Sequence, residues 1–111
     1  MGLTFEEYAE KAGVTAVYPN RGDNIVYPVL GLVGESGEVA EKLKKLIRDQ
    51  NGMVDDAFRD AVERELGDIL WYLAAVAHEL GLTLDDVAEV NIAKLQSRAE
   101  RGKIQGSGDD R

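Results

Sequence analysis

Two pairs of acidic residues with the same spacing are the part of this sequence best suited to chemistry. Glu35 and Glu38 form the first pair, and Glu65 and Asp68 form the second. Residues three apart on an α-helix rise from neighbouring points of one face, so each pair would present two carboxylates side by side. Carboxylates gathered in a partly buried cleft repel one another and lose hydration, and a divalent cation compensates both effects. The pattern therefore predicts a metal site in which all four acids serve as ligands and catalytic groups.

The remaining composition narrows the choice of metal. The chain has no cysteine and one histidine, which excludes thiolate zinc sites, cysteine nucleophiles and any site built on two imidazoles. A di-iron carboxylate bundle would need Glu-x-x-His on two helices, and the sequence contains none. Carboxylate ligands favour Mg²⁺, with Mn²⁺ as a substitute. The competing interpretation is that the acids are surface charges, with Glu38 paired to Lys42 one helical turn later.

Helices must position these acids, because apolar residues recur at helical spacing in two long segments, residues 27–48 and 56–80. Capping patterns predict two shorter helices, one from Thr4 to about residue 12 and one from Thr83 towards residue 102. No strand pattern exceeds three residues. We therefore expect an all-α fold of four to five antiparallel helices.

Three glycines interrupt the first long helix beside its acids. Gly31, Gly34 and Gly37 each cost about 1 kcal/mol relative to alanine in a helix interior, so their presence needs a reason. They trace a strip without side chains, which a second helix, a loop or a phosphate group could approach. Close helix packing alone is an equally good interpretation.

Length and charge limit the possible partners. A chain of 111 residues forms one domain but buries a modest share of its surface, so we expect association into a homo-oligomer. The net charge of −8 opposes nucleic-acid binding, and neither a membrane span nor a signal peptide is evident, which predicts a cytoplasmic protein without membrane contact. Residues 1–93 carry −10 and residues 94–111 carry +2. We divide the chain into a helical domain, residues 1–101, and a glycine-rich basic tail, residues 102–111.

The acidic segments resemble a known family. Residues 34–41, Gly-Glu-Ser-Gly-Glu-Val-Ala-Glu, and residues 65–72, Glu-Leu-Gly-Asp-Ile-Leu-Trp-Tyr, are similar to the two-part signature of the MazG-type all-α pyrophosphohydrolases. The similarity covers about residues 25–100. The usual signature is Glu-Glu-x-x-Glu followed by Glu-x-x-Asp, and here Gly34 stands in place of the first glutamate.

The resemblance implies a MazG-like bundle completed by oligomerisation, as a dimer or tetramer. It also implies Mg²⁺-dependent hydrolysis of a ribo- or deoxyribonucleoside triphosphate to the monophosphate and pyrophosphate. A dUTP-type diphosphatase and a phosphoribosyl-ATP pyrophosphohydrolase share the acid pattern and remain alternatives. A non-catalytic helical interaction module that only binds divalent ions is an alternative of another class.

Substrate contacts are expected from Tyr72 and from the basic end of the chain. The resemblance implies that Asn91, Lys94 and Arg98, which share one helix face, contact phosphates. The glycine-rich tail is either a frayed terminus or a segment that folds over phosphates. In the second case its basic residues also bind substrate: Arg101, Lys103 and Arg111. The loop at residues 14–26 is a further expectation, for base recognition.

Overall fold

The computed structural model describes residues 2–102, in which every regular element is an α-helix. The helices are α1 (Phe5–Val14), α2 (Val26–Gln50), α3 (Asp56–Glu79) and α4 (Leu84–Glu100). The predicted all-α fold is confirmed, with four helices and no strand among the described residues. Lys103 and Arg111, which we predicted to bind substrate, lie outside this range.

Local capping chemistry determines where the helices begin. Thr4 and Thr83 each accept a hydrogen bond from a backbone amide of the first turn and form a full capping box, so α1 and α4 start where the sequence predicted. Asp55 caps α3 in the same way, accepting from the amide of Phe58 at 2.8 Å. The start of α2 lies slightly earlier than predicted, because the Asn24 side chain accepts from an amide of its first turn.

Helices α2 and α3 form a long antiparallel hairpin, in which most of the tertiary contacts of the described chain are made. The connecting turn places Asn51 and Gly52 at positive φ, 54° and 75°, a conformation that asparagine and glycine tolerate. Helix α1 packs on α3 and α4. Within residues 2–102, α4 contacts α1 and α3 but not α2.

The three glycines of α2 have different surroundings. A β-carbon at Gly31 would lie 2.1 Å from Cε1 of Tyr72, so the tyrosine ring rests directly on the helix backbone. Around Gly34 and Gly37 nothing lies within 4 Å of the same position. Close packing therefore accounts for Gly31 alone, and the other two glycines border open space.

Much apolar surface stays uncovered in the single chain. On α2, Val26, Leu30 and Val33 each retain more than 60% of their accessible surface, and so does Val90 on α4. The radius of gyration is 16.9 Å, against about 13 Å for a compact domain of about 100 residues. No helix among the described residues has the length and apolar character needed to cross a membrane.

Replacing Gly31 with alanine should destabilise the fold, since the new methyl group would displace the Tyr72 ring. We expect a loss of about 1–3 kcal/mol, as for other overpacked sites. The matched Gly34→Ala change meets no neighbour and should gain about 1 kcal/mol from helix propensity. Urea denaturation followed by circular dichroism measures both, and equal shifts of the two midpoints would contradict the packing described for Gly31.

Candidate metal centre

Three of the four predicted acids converge between α2 and α3. Glu35, Glu65 and Asp68 each offer a carboxylate oxygen, and these oxygens all lie within 4.8 Å of one another. Glu35 and Glu65 are half-buried and Asp68 is exposed, so one side of the cluster lies against the protein and the other side is open to solvent. We call these three residues the acid triad.

The acid triad is under electrostatic strain without a cation. A hydrogen bond with Glu65 is the main cause that raises the pKa of Glu35 to about 7, followed by desolvation and by the charges of Glu65, Asp68 and Glu38. Glu35 therefore keeps its proton well above the usual range for a carboxylic acid. A bound divalent cation would reverse this preference, because it favours the ionised form.

Glu65 shows most directly that a cation fits. Its Oε1 lies 3.5 Å from Nζ of Lys42, whereas its Oε2 is buried and has no hydrogen-bond partner. A buried carboxylate oxygen without a partner is costly. Either a proton shared with Glu35 or a cation would satisfy it, and an all-carboxylate donor set is suited to a hard divalent cation.

The fourth acid, Glu38, stands outside the triad. Its charge contributes to the raised pKa of Glu35, so it lies near the cluster without offering an oxygen within the shared 4.8 Å. Lys42 pairs with Glu65, and the surface pair of Glu38 with Lys42 considered from the sequence is not among the ion pairs of residues 2–102. The structure thus brings together three of the four predicted ligands.

Two tyrosines border the acid triad. Burial is the main cause that raises the pKa of the Tyr72 phenol, followed by the nearby Tyr27, Glu35 and Asp68. Tyr72 therefore stays protonated and can donate a hydrogen bond at the edge of the site. Tyr8 on α1 is a second such phenol, its pKa raised by burial and then by Asp68. Tyr8 was not among the site residues predicted from the sequence, since nothing local relates it to an acid on α3.

Helix α4, which carries the predicted phosphate contacts, packs on α1 and α3. Helix α4 does not contact α2 in the described residues. Asn91 and Lys94 line a surface groove of about 330 Å³ together with Val87 and Val90. Arg98 is only 4% exposed, so it does not form part of a solvated face.

Arg101 lies at the C-cap of α4, where its Nε donates to the carbonyl oxygen of Ser97 at 3.2 Å. A larger cavity, about 510 Å³, lies elsewhere, between α1, α3 and the start of α4. Trp71 and His78 line this cavity, and neither belongs to the acid triad. The indole Nε1 of Trp71 donates to the hydroxyl of Thr15 at 2.8 Å, which gives Trp71 a structural contact between α3 and the segment after α1.

Comparison with known proteins points to one family. Residues 28–102 match the model of the MazG nucleotide pyrophosphohydrolase domain, a range that contains all four acids. The chain is also 47% identical over 109 residues to the Gene 37 protein of Mycobacterium phage L5, an alignment covering 94% of this chain and 96% of that protein. No solved structure is a significant match.

Cation binding should release a proton from Glu35, because its pKa of about 7 leaves it protonated at pH 6 and ionised at pH 9. Titration calorimetry with Mg²⁺ in two buffers of different ionisation enthalpy should give about one proton released at pH 6 and almost none at pH 9. Glu35→Gln should abolish the release.

The same shift predicts how the stability of the cation-free protein depends on pH. Unfolded Glu35 ionises near pH 4.5 and the folded protein holds its proton up to about pH 7, so the folded state binds more protons between these values. The melting temperature should therefore fall as the pH rises through this window. The melting temperature of Glu35→Gln should not fall through this window. A wild-type melting temperature that is equally independent of pH would contradict the raised pKa of Glu35.

Proposed function

Because the chain belongs to the MazG nucleotide pyrophosphohydrolase family, we propose that it hydrolyses a ribo- or deoxyribonucleoside triphosphate to the monophosphate and pyrophosphate with Mg²⁺. The observation that carries the proposal is the acid triad, in which the buried Glu65 Oε2 has no hydrogen-bond partner. A nucleotide pyrophosphohydrolase needs a divalent cation beside the triphosphate to neutralise charge, and the triad has the donors for one.

In the proposed site Glu35, Glu65 and Asp68 would hold Mg²⁺, which Mn²⁺ could replace. When bound, the cation neutralises phosphate charge and lowers the pKa of nearby water. The oxygen of a water molecule forms a bond to the α-phosphorus, and the bond from that phosphorus to the oxygen bridging to the β-phosphate breaks, releasing pyrophosphate. The water gives up a proton, and we assign its acceptance to Glu38, the acid that stands outside the triad. Tyr72 donates a hydrogen bond to a phosphate or ligand carboxylate.

We assign phosphate binding to the basic end of the chain, contributed by a second copy in a homodimer or homotetramer. The lack of contact between α4 and α2 within the described residues supports this, because α4 does not pack on the helix that carries Glu35 and Glu38. The exposed valines and leucine of α2 and Val90 of α4 supply apolar surface for such an interface. The residues assigned to the phosphates are Asn91, Lys94, Arg98, Arg101, Lys103 and Arg111.

Pyrophosphate release should be measured against a panel of ribo- and deoxyribonucleoside triphosphates, with dUTP and phosphoribosyl-ATP included. We expect release from at least one nucleotide only with Mg²⁺ or Mn²⁺, and a loss of roughly 100-fold or more in kcat for Glu65→Gln and Asp68→Asn. The control is Glu63→Gln, an exposed glutamate on α3 with the same change of charge, which should leave kcat unchanged.

The preferred nucleotide in this panel separates the three enzyme alternatives. Mg²⁺ binding without pyrophosphate release from any of the nucleotides would instead support a non-catalytic module that binds divalent ions.

Mixing two inactive variants tests whether one copy completes the site of another. Glu65→Gln removes a triad ligand and Lys94→Ala removes a proposed phosphate contact, so after subunit exchange a mixed dimer would hold one intact site. We expect an equimolar mixture to recover about a quarter of the wild-type activity, on the statistics of random pairing. If the activity of the mixture does not exceed the summed activities of the two separate variants, both residues belong to the site of the same chain.

A further inference from the structure

The carboxylate of Glu79, at the end of α3, ties down the segment that precedes α2. Its Oε2 accepts hydrogen bonds from the hydroxyl of Tyr18 at 2.6 Å and the amide of Gly22 at 2.7 Å. Its Oε1 accepts from the amide of Asn24 at 2.7 Å. These donors hold the pKa of Glu79 below its usual range, with the Tyr18 hydrogen bond as the largest cause. One side chain thus fixes three points of a loop that has no regular structure.

The fixed loop connects to the acid triad through aromatic contacts. Tyr18 is buried and its ring stacks on that of Tyr27, with centroids 4.9 Å apart and planes 12° from parallel. Tyr27 lies in the first turn of α2, one helical turn before Gly31 and therefore on the same side of the helix. Tyr72 in turn rests on the backbone at Gly31 and borders Glu35. The contacts form a continuous path from Glu79 to the triad.

We propose that Glu79 is a positioning residue for the metal centre, holding the Tyr72 phenol in place beside the acid triad through Tyr18 and Tyr27. Glu79 itself is eleven positions from Asp68 along α3 and does not belong to the triad. The consequence for turnover rests on the proposed function, whereas the placement of Tyr72 does not.

A carboxylate suits this position because all three partners of Glu79 donate. An ionised carboxylate accepts several hydrogen bonds, but a glutamine of the same shape has a single acceptor oxygen and an amino group that donates. Glu79→Gln therefore sets at least one loop donor against another donor. Tyr18→Phe is a milder change, since it removes one hydrogen bond and keeps the ring that stacks on Tyr27.

The carbon-13 NMR chemical shift of the tyrosine ring carbon bonded to oxygen tests this proposal without an activity assay. The chain has four tyrosines, so single phenylalanine replacements assign every signal. We expect Glu79→Gln, and to a smaller extent Tyr18→Phe, to shift the Tyr72 signal, while Glu63→Gln leaves it in place. If Glu79→Gln fails to fold, Tyr18→Phe decides the same question. A Tyr72 signal that moves in neither variant overturns the proposal.

Pyrophosphate release in the folded protein tests the catalytic consequence. Glu79→Gln should lower kcat/KM about tenfold in the wild-type background and less than about twofold in Tyr72→Phe, because coupled residues are not additive. Equal losses in both backgrounds would show that Glu79 acts independently of Tyr72 and would overturn the proposal. Absence of release from the wild-type protein would remove the proposed function instead, and the NMR shift would still decide whether Glu79 positions Tyr72.

Discussion

Repulsion among three carboxylates is the constraint around which this fold is arranged. The α2–α3 hairpin holds Glu35, Glu65 and Asp68 within 4.8 Å of one another, although like charges at that separation oppose folding. Apolar packing along the hairpin must offset this repulsion. The raised pKa of Glu35 relieves part of it, because a protonated carboxyl group carries no charge. A structural role alone would be served better by apolar residues at these positions, since they would pack without repulsion or loss of hydration. This cost of grouping the acids supports the ligand role proposed for them.

The other elements support the hairpin at its two ends and along one side. Helix α1 supplies Tyr8 near Asp68 and packs against α3, and the loop that follows is fixed to α3 by Glu79. Tyr72 is clamped between the backbone at Gly31 and the acids. Each of these contacts holds a group in or beside the triad in place. Together they limit how far the three carboxylates can move apart when their charges repel. Helix α4 does not contact α2 within the described residues, and it carries a groove lined by Asn91 and Lys94.

Features that depend on neighbouring residues in the chain were predictable from the sequence. The starts of α1 and α4 follow from Thr4 and Thr83, whose side chains cap the helix that they precede. The acid spacing likewise predicted that the two pairs face each other, and three of the four acids do converge, whereas the three-residue step did not bring Glu38 into the group with Glu35. Glu79 was missed because its partners lie 55 to 61 positions earlier in the chain, and no local pattern relates them.

The surroundings of Gly34 and Gly37 could not be predicted either, since only the assembled hairpin shows which side of α2 meets α3. The packing of α4, which carries Asn91, Lys94 and Arg98, on α1 and α3 but not on α2 within the described residues could not be predicted either, because helical periodicity does not say which helices pack together.

The short turn between α2 and α3 has a consequence for the order of folding. Helices joined by only five residues pair by zipping from the turn, with little loss of chain entropy, and proteins dominated by such local pairing fold rapidly. The two helices that carry the carboxylates can therefore pair early, before α4 docks on α1 and α3. A divalent cation bound by the three carboxylates would offset their repulsion already at that stage and would so favour the pairing of the two helices.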